Sequence, residues 1–260
     1  ETISVLSPTY AMYEVYSKIF QLKLFKIGYN KNYENIKSNF DKFFKLKPKI
    51  LFLPNPNQPI ENTLNLKDIE KIALKCKRKK CFLVVDEAYH HFGSKSAVPL
   101  IRKFKNLIVL KTFSKAFGVP SIRAGFTVSD KKNMDILSKA RIAHELSSVS
   151  IAVAEYLLKN YEIVKKNAKK IQISRDLLKK ELKKIGLETR SQFGNYILIK
   201  FQNSTEAEKV VKFLKKNYIY VKGPYKHPWQ NFINISIGPY NAMKPFIKKV
   251  KEAKKKKLFT

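Results

Sequence analysis

The chain has 260 residues, enough for one large or two modest domains with a real core, and its 44% hydrophobic and 12% aromatic content excludes a disordered polymer. Its formal charge of +33 would suit a polyanionic partner. Yet only six of the 53 basic residues are arginine, and the lysines are scattered along helical segments, so they read as solvated faces and no nucleic-acid partner is expected.

Glu1–Leu6 is expected to form a strand, followed by S-P-T-Y-A-M-Y with Tyr10 at a strand–helix turn. Glu14–Phe20 reads as helix, Lys23–Ile27 as strand, Asn35–Lys45 as helix and Ile50–Leu53 as a buried strand. That strand runs into P-N-P-N-Q-P-I-E, Pro54–Glu61, where Asn and Pro favour a turn. Leu66–Lys80 is an amphipathic helix. Cys76 and Cys81 follow one another too closely, and too far from other ligands, to suggest a metal site; they read as reduced thiols of a cytoplasmic protein.

The stretch Cys81–Phe126 organises the rest. Its apolar runs Cys81–Val85 and Leu107–Leu110 are short and do not alternate, as expected of strands buried on both faces of a parallel sheet. Each run delivers polar residues at its C-terminal end, where open α/β sheets bind ligands. The first delivers Asp86 and Tyr89; the second delivers Thr112, Ser114 and Lys115, with Arg123 eight residues beyond the lysine. A lysine there could form a Schiff base with an aldehyde cofactor when its amine is neutral. An aspartate would hold a pyridinium nitrogen protonated, and a tyrosine could donate to a phenolate oxygen. Hydroxyls with a bidentate arginine would make a phosphate site. V-V-D-E after an apolar strand also suits an ATPase, but that reading needs G-x-x-x-x-G-K-[ST], and none of the eight glycines precedes a lysine.

D-E-A-Y followed by T-F-S-K-A-F-G-x-x-x-x-R-x-G resembles the fold-type I pyridoxal-phosphate aminotransferases, in particular their histidinol-phosphate aminotransferase branch. The resemblance implies an α/β three-layer large domain with a mainly parallel sheet, plus a small C-terminal α+β domain. It implies pyridoxal 5'-phosphate as cofactor, a small-molecule amino donor and keto acceptor, and a homodimer in the full-length form. Carried over, it makes Lys115 the Schiff-base lysine and pairs Asp86 with the ring nitrogen. Tyr89 falls on the ring oxygen, and Thr112, Ser114 and Arg123 on the phosphate. Tyr10 would stack on the ring, and Gln58 would stand where relatives place an asparagine touching the ring oxygen.

Beyond Phe126–Val128, a last strand of the large domain, Lys131–Lys159 reads as long helix broken near His144, and Tyr161–Gly186 as another. Leu187–Arg190, Gly194–Lys200, Tyr218–Val221 and Phe232–Ile237 read as strands, with helices at Thr205–Asn217 and Asn241–Lys256. The expected division is 1–155 for the large domain and 156–260 for the small one. In relatives Asn195 faces the active site, and an arginine that grips the substrate's carboxylate or phosphate stands where this chain has Asn234. Lys222 or Lys226 then supplies the charge, or the substrate differs from an ordinary α-amino acid. The resemblance also implies an upstream segment that this sequence does not include. Pro120 resembles the turn of threonine-phosphate decarboxylases, so phosphoamino-acid decarboxylation stands as an alternative to transamination; a non-catalytic relic of the fold is a third. No apolar stretch approaches ~18–20 residues and no signal peptide is recognised, so a membrane is not an expected partner.

Overall fold

In the computed structural model, residues 1–29, 37–142 and 145–260 are described. Two compact units follow one another, Glu1–Lys165 and Lys166–Thr260.

The first unit is built on a six-stranded sheet. Its strands are β1 (Thr2–Ser7), β2 (Lys23–Gly28), β3 (Ile50–Pro54), β4 (Phe82–Asp86), β5 (Leu107–Thr112) and β6 (Gly125–Ser129), in the spatial order β2-β1-β3-β4-β5-β6. All neighbours are parallel except β5 and β6, which are antiparallel. Parallel strands need crossovers, and helices α1 (Met12–Ile19), α2 (Lys37–Lys45) and α3 (Leu66–Arg78) provide three of them. Asn65 fixes the start of α3 by accepting the Asp68 backbone N–H at 3.0 Å. One face of the apolar runs packs on the helices, where Leu51, Leu53, Leu83, Val85, Leu107 and Val109 are buried with Phe43, Ile69 and Ala73. On the other face Val84 is buried but Ile108 and Leu110 are only partly so, and the burial expected on both faces of Leu107–Leu110 is incomplete. Each fully buried side chain stabilises the unit by roughly 1.5–3 kcal/mol of transfer free energy. Register matters for function: Pro54 lies opposite Asp86, and Asp86 opposite Leu110, so the polar ends of three strands come to one edge.

The helix expected after β6, with its break near His144, is two helices, α4 (Lys131–Ser138) and α5 (Ser148–Lys159); His144 itself lies outside the described residues. Side-chain caps mark both starts: Asp130 accepts from the Lys132 N–H and Ser147 from the Ser150 N–H.

The second unit holds most of α6 (Tyr161–Lys184) and an antiparallel sheet of β7 (Glu188–Arg190), β8 (Tyr196–Lys200) and β9 (Phe232–Ser236). Helices α7 (Ser204–Lys216) and α8 (Tyr240–Lys255) pack against each other, and α7 packs on β9. The strand expected at Tyr218–Val221 does not form. Tyr218 takes a left-handed φ of 61°, and its ring is 86% exposed. Pairing is confined to a single bridge between Lys222 and Asn234 before Gly223 turns the chain at φ 119°. Aromatic β-propensity at Tyr218 and Tyr220 had no sheet face to pack on.

Beneath the polar edge of the first sheet lies a buried ionic cluster. Glu87, 1% exposed, accepts from the Ser96 hydroxyl at 2.7 Å and from the Ala97 backbone N–H, and pairs with Lys111 at 2.6 Å. Lys111 Nζ also lies 2.9 Å from His90 Nε2, while His90 Nδ1 is 3.0 Å from the Glu87 carbonyl. An ammonium only donates, so Nε2 accepts and the proton sits on Nδ1. His91 packs at a tilt of 51° against His90 with ring centroids 3.7 Å apart and bonds the Tyr161 hydroxyl at 2.6 Å. Burial, and then the neighbouring Lys111 and His90 charges, lower His90 to about 4 and His91 to about 3 from the usual 6.5.

Both histidines are therefore neutral in the folded chain. As pH falls through 6.5 the unfolded chain takes up their protons first, so stability is full above about pH 7 and is lost progressively toward pH 4. At about 1.4 kcal/mol per pKa unit, His90 alone accounts for on the order of 3 kcal/mol. Urea midpoints measured from pH 7.5 down to 4 should fall steadily; a flat profile between pH 7 and 5 would contradict this assignment.

Candidate active site

The candidate site is assembled at the C-terminal ends of β1, β3, β4 and β5, as the strand-end rule requires. Asp86 ends β4. Its Oδ1 accepts the Ala88 backbone N–H at 3.0 Å, and its Oδ2 accepts the Tyr13 hydroxyl at 2.7 Å. Burial raises its carboxyl above the usual range; the bonds from Tyr13 and Ala88 and the charge of Lys115 act against that rise, and Glu87 adds to it.

Tyr89 follows in the turn after β4. Its hydroxyl donates to Gln58 Oε1 at 3.0 Å, and Lys115 Nζ lies 5.3 Å from its ring centroid. Burial, with the Asp86 and Tyr10 charges, pushes the Tyr89 phenol well up, so it stays a donor. Lys115 sits in the turn beyond β5, closed by the Gly118 N–H donating to the Lys115 carbonyl at 3.0 Å with Gly118 at φ 76°. Thr112 Oγ1 accepts the Ser114 N–H at 3.1 Å, which holds both hydroxyl residues in one turn. Arg123, at φ 52°, is exposed, and its guanidinium donates to the Pro120 carbonyl at 3.1 Å. Tyr10 is 59% exposed, with its ring edge-on to Tyr13 at 6.3 Å.

Tyr10, Gln58, Asp86, Tyr89 and Lys115 are thus linked, directly or through Tyr13, while Thr112 and Ser114 share the turn that carries the lysine. In the second unit, the Asn195 carbonyl accepts from the Ile237 N–H at 2.7 Å, and Lys222 and Asn234 exchange backbone bonds of 3.0 and 2.7 Å. Asn234 is 2% exposed, and its Nδ2 meets no acceptor among the described residues.

One contributor was read only as turn support and a second escaped the sequence reading. Asn57, fully buried, accepts from Thr9 at 2.6 Å, and its amide nitrogen lies within hydrogen-bond reach of the Pro8 and Ile60 carbonyls and the Tyr29 hydroxyl, sharing its two N–H donors among them. It ties the turn after β1 to the turn after β3. Tyr13 is the other; its signal was its place three residues after Tyr10, one helical turn on, which reads equally well as packing. The donor set fits a phosphorylated aromatic aldehyde: an amine beside a phenol–amide pair, a half-buried carboxylate for a ring nitrogen, and hydroxyls in one turn. Among the described residues no cluster of potential metal ligands occurs, and no helix is long and apolar enough to cross a membrane.

The architecture is that of pyridoxal-phosphate fold-type I proteins. A putative histidinol-phosphate aminotransferase from Erwinia carotovora atroseptica superposes with a TM-score of 0.90 at 21% identity, over 99% of this chain and 75% of that one. Histidinol-phosphate aminotransferase from Sinorhizobium meliloti, solved in complex with pyridoxal-5'-phosphate, also gives 0.90, at 20% identity over 98% of this chain and 70% of that one. The pattern of aminotransferase class I and II matches residues 1–250, and the chain belongs to that family. A histidinol-phosphate aminotransferase of Caldanaerobacter subterraneus subsp. tengcongensis is 34% identical over 86% of this chain and 64% of its own length. One from Clostridium novyi is 34% identical over 92% of this chain and 66% of its own length. The chain therefore spans just under two thirds of these curated relatives.

Proposed function

We propose that this chain carries the cofactor-binding machinery of a pyridoxal-phosphate-dependent aminotransferase resembling histidinol-phosphate aminotransferase. It would act in amino-acid biosynthesis in the cytoplasm, as a homodimer, on a small-molecule amino donor and keto acceptor. The observation that carries the reading is the meeting of Lys115, Tyr89, Gln58 and Asp86 at the strand ends, supported by the family match over residues 1–250. Exposed apolar side chains on α1 and α5, such as Ile19 and Val149, support the homodimer. Two free, buried cysteines support a reducing compartment.

Pyridoxal phosphate, when bound, supplies an electron sink for negative charge developing at the substrate's Cα. Lys115 holds the cofactor and moves the proton at Cα, as base and then as acid. Asp86 serves the ring nitrogen. The Tyr89 hydroxyl occupies Gln58 Oε1, so Gln58 Nε2 is the amide donor available to the ring oxygen. Thr112, Ser114 and Arg123 take the phosphate, and Tyr10 offers its exposed face to the ring. Asn195, Lys222 and Asn234 are assigned to substrate recognition, with Lys222 as the charged group beside an amide that replaces the family's arginine.

Incubation with pyridoxal phosphate, borohydride reduction and peptide mapping test this reading. Modification concentrated on Lys115 is the expected result; modification spread over surface lysines would overturn it. With substrate, a keto product marks transamination, and carbon dioxide would mark decarboxylation instead.

A further inference from the structure

We propose that Tyr13 is a positioning residue for Asp86, fixing the carboxylate in the orientation that serves the cofactor's ring nitrogen; this rests on the pyridoxal-phosphate reading above. Three strands contribute to the arrangement. Tyr13 enters from the first turn of α1, just after β1, and its ring packs on Phe52 of β3 with centroids 5.2 Å apart. Its hydroxyl reaches Asp86 at the end of β4, 2.7 Å from Oδ2. A phenol locked between a neighbouring strand's aromatic ring and a carboxylate has little rotational freedom, so the bond is pre-organised rather than opportunistic. Asp86 Oδ1 is held separately by the Ala88 N–H at 3.0 Å. With one donor on each oxygen, the carboxylate plane is fixed, and each oxygen retains a lone pair for one more donor.

The charge balance explains why the bond is needed. The groups facing Asp86 are Tyr13, Tyr89, Lys115 and the like-charged Glu87. Burial alone favours the neutral acid, and a neutral acid cannot pair with a protonated ring nitrogen. The Tyr13 hydroxyl is bonded to the charged form and favours it. Burial and the Asp86 charge in turn push the Tyr13 phenol well above its ordinary value, so it remains a donor across the physiological range. Asp86 therefore depends on a residue that would not touch the cofactor itself.

Tyr13→Phe keeps the ring and its packing on Phe52 and removes only the hydroxyl, so a purely structural role predicts no change at Asp86. The test has two readouts. In the cofactor-free full chain, carbon-detected NMR should show the Asp86 carboxyl titrating on the order of one pH unit higher in Tyr13→Phe than in wild type. In a pyridoxal-phosphate titration followed by visible absorbance, the variant should bind roughly 10- to 100-fold more weakly. Identical Asp86 titrations overturn the proposal, as does a shifted titration with unchanged cofactor affinity. A wild-type chain that takes up no pyridoxal phosphate would overturn the cofactor reading, and the positioning role with it. That outcome is distinguishable because the Asp86 titration is read without cofactor.

Discussion

Replacing Lys115 with alanine is expected to lower keto-product formation by roughly 10⁴-fold or more, because in the proposed function one amine both anchors the cofactor and transfers the proton at Cα. Lys115→Arg should fare no better. A guanidinium keeps the charge but does not give up its proton in the physiological range, so it can neither attack a carbonyl nor serve as base. The loss has a second component. Lys115 is among the groups that pull the Asp86 carboxyl down against burial. Its removal pushes Asp86 further toward the neutral acid, so Lys115→Ala should also bind pyridoxal phosphate more weakly than a purely covalent role predicts. Lys131→Ala, at an exposed helix start, is the control and should leave the rate unchanged. Steady-state rates with the purified variants decide the matter. A Lys115→Ala chain retaining more than about 1% of wild-type rate would remove Lys115 from the chemistry.

Much of this site could be read from the sequence because strand ends are marked twice. The run Leu83–Val85 is fully buried and Leu107–Leu110 alternates between buried and partly buried, and polar residues that end such apolar runs stand out. Asp86, Tyr89 and Lys115 therefore stood out together, and the sheet does bring them to one edge. What stayed hidden was everything that depends on a partner remote in sequence. Tyr13 and Asp86 lie 73 residues apart, and nothing local distinguishes a tyrosine that packs from one that donates. Lys111 was indistinguishable from the solvated lysines around it until the fold placed Glu87 against it. Asn57 read as an ordinary turn residue, because its partners include Pro8 and Thr9 just after β1 and Tyr29 just after β2, all remote in sequence. At Tyr218–Val221 the failure has a different origin: propensity favoured a strand, and tertiary context supplied only the single bridge to Asn234.

Glu87→Ala is expected to cost about 3–5 kcal/mol, the effect of stranding one member of a buried ion pair. Three groups lose the carboxylate at once: the Ser96 hydroxyl, the Ala97 backbone N–H and the Lys111 ammonium. Lys111 retains Ser96 Oγ at 3.0 Å and His90 Nε2 at 2.9 Å, but neither carries a negative charge. Its side chain is only 9% exposed, so water cannot replace the carboxylate without opening the turn after β4. That turn carries Tyr89, and its neighbour Asp86 is the residue proposed to serve the ring nitrogen; loss of the pair should therefore loosen the proposed cofactor site as well as lower stability. Against a typical total of about 5–15 kcal/mol, the variant will be marginal. Urea denaturation at pH 7.5 gives the measurement. The diagnostic comparison is with Glu87→Leu/Lys111→Met, which removes both charges and fills the space with apolar side chains. That double variant should recover at least half of the loss, because the cost lies in the unpaired charge rather than in the missing attraction. If it is less stable than Glu87→Ala, the cluster holds the turn through its hydrogen bonds to Ser96 and Ala97, and the ionic pair is secondary.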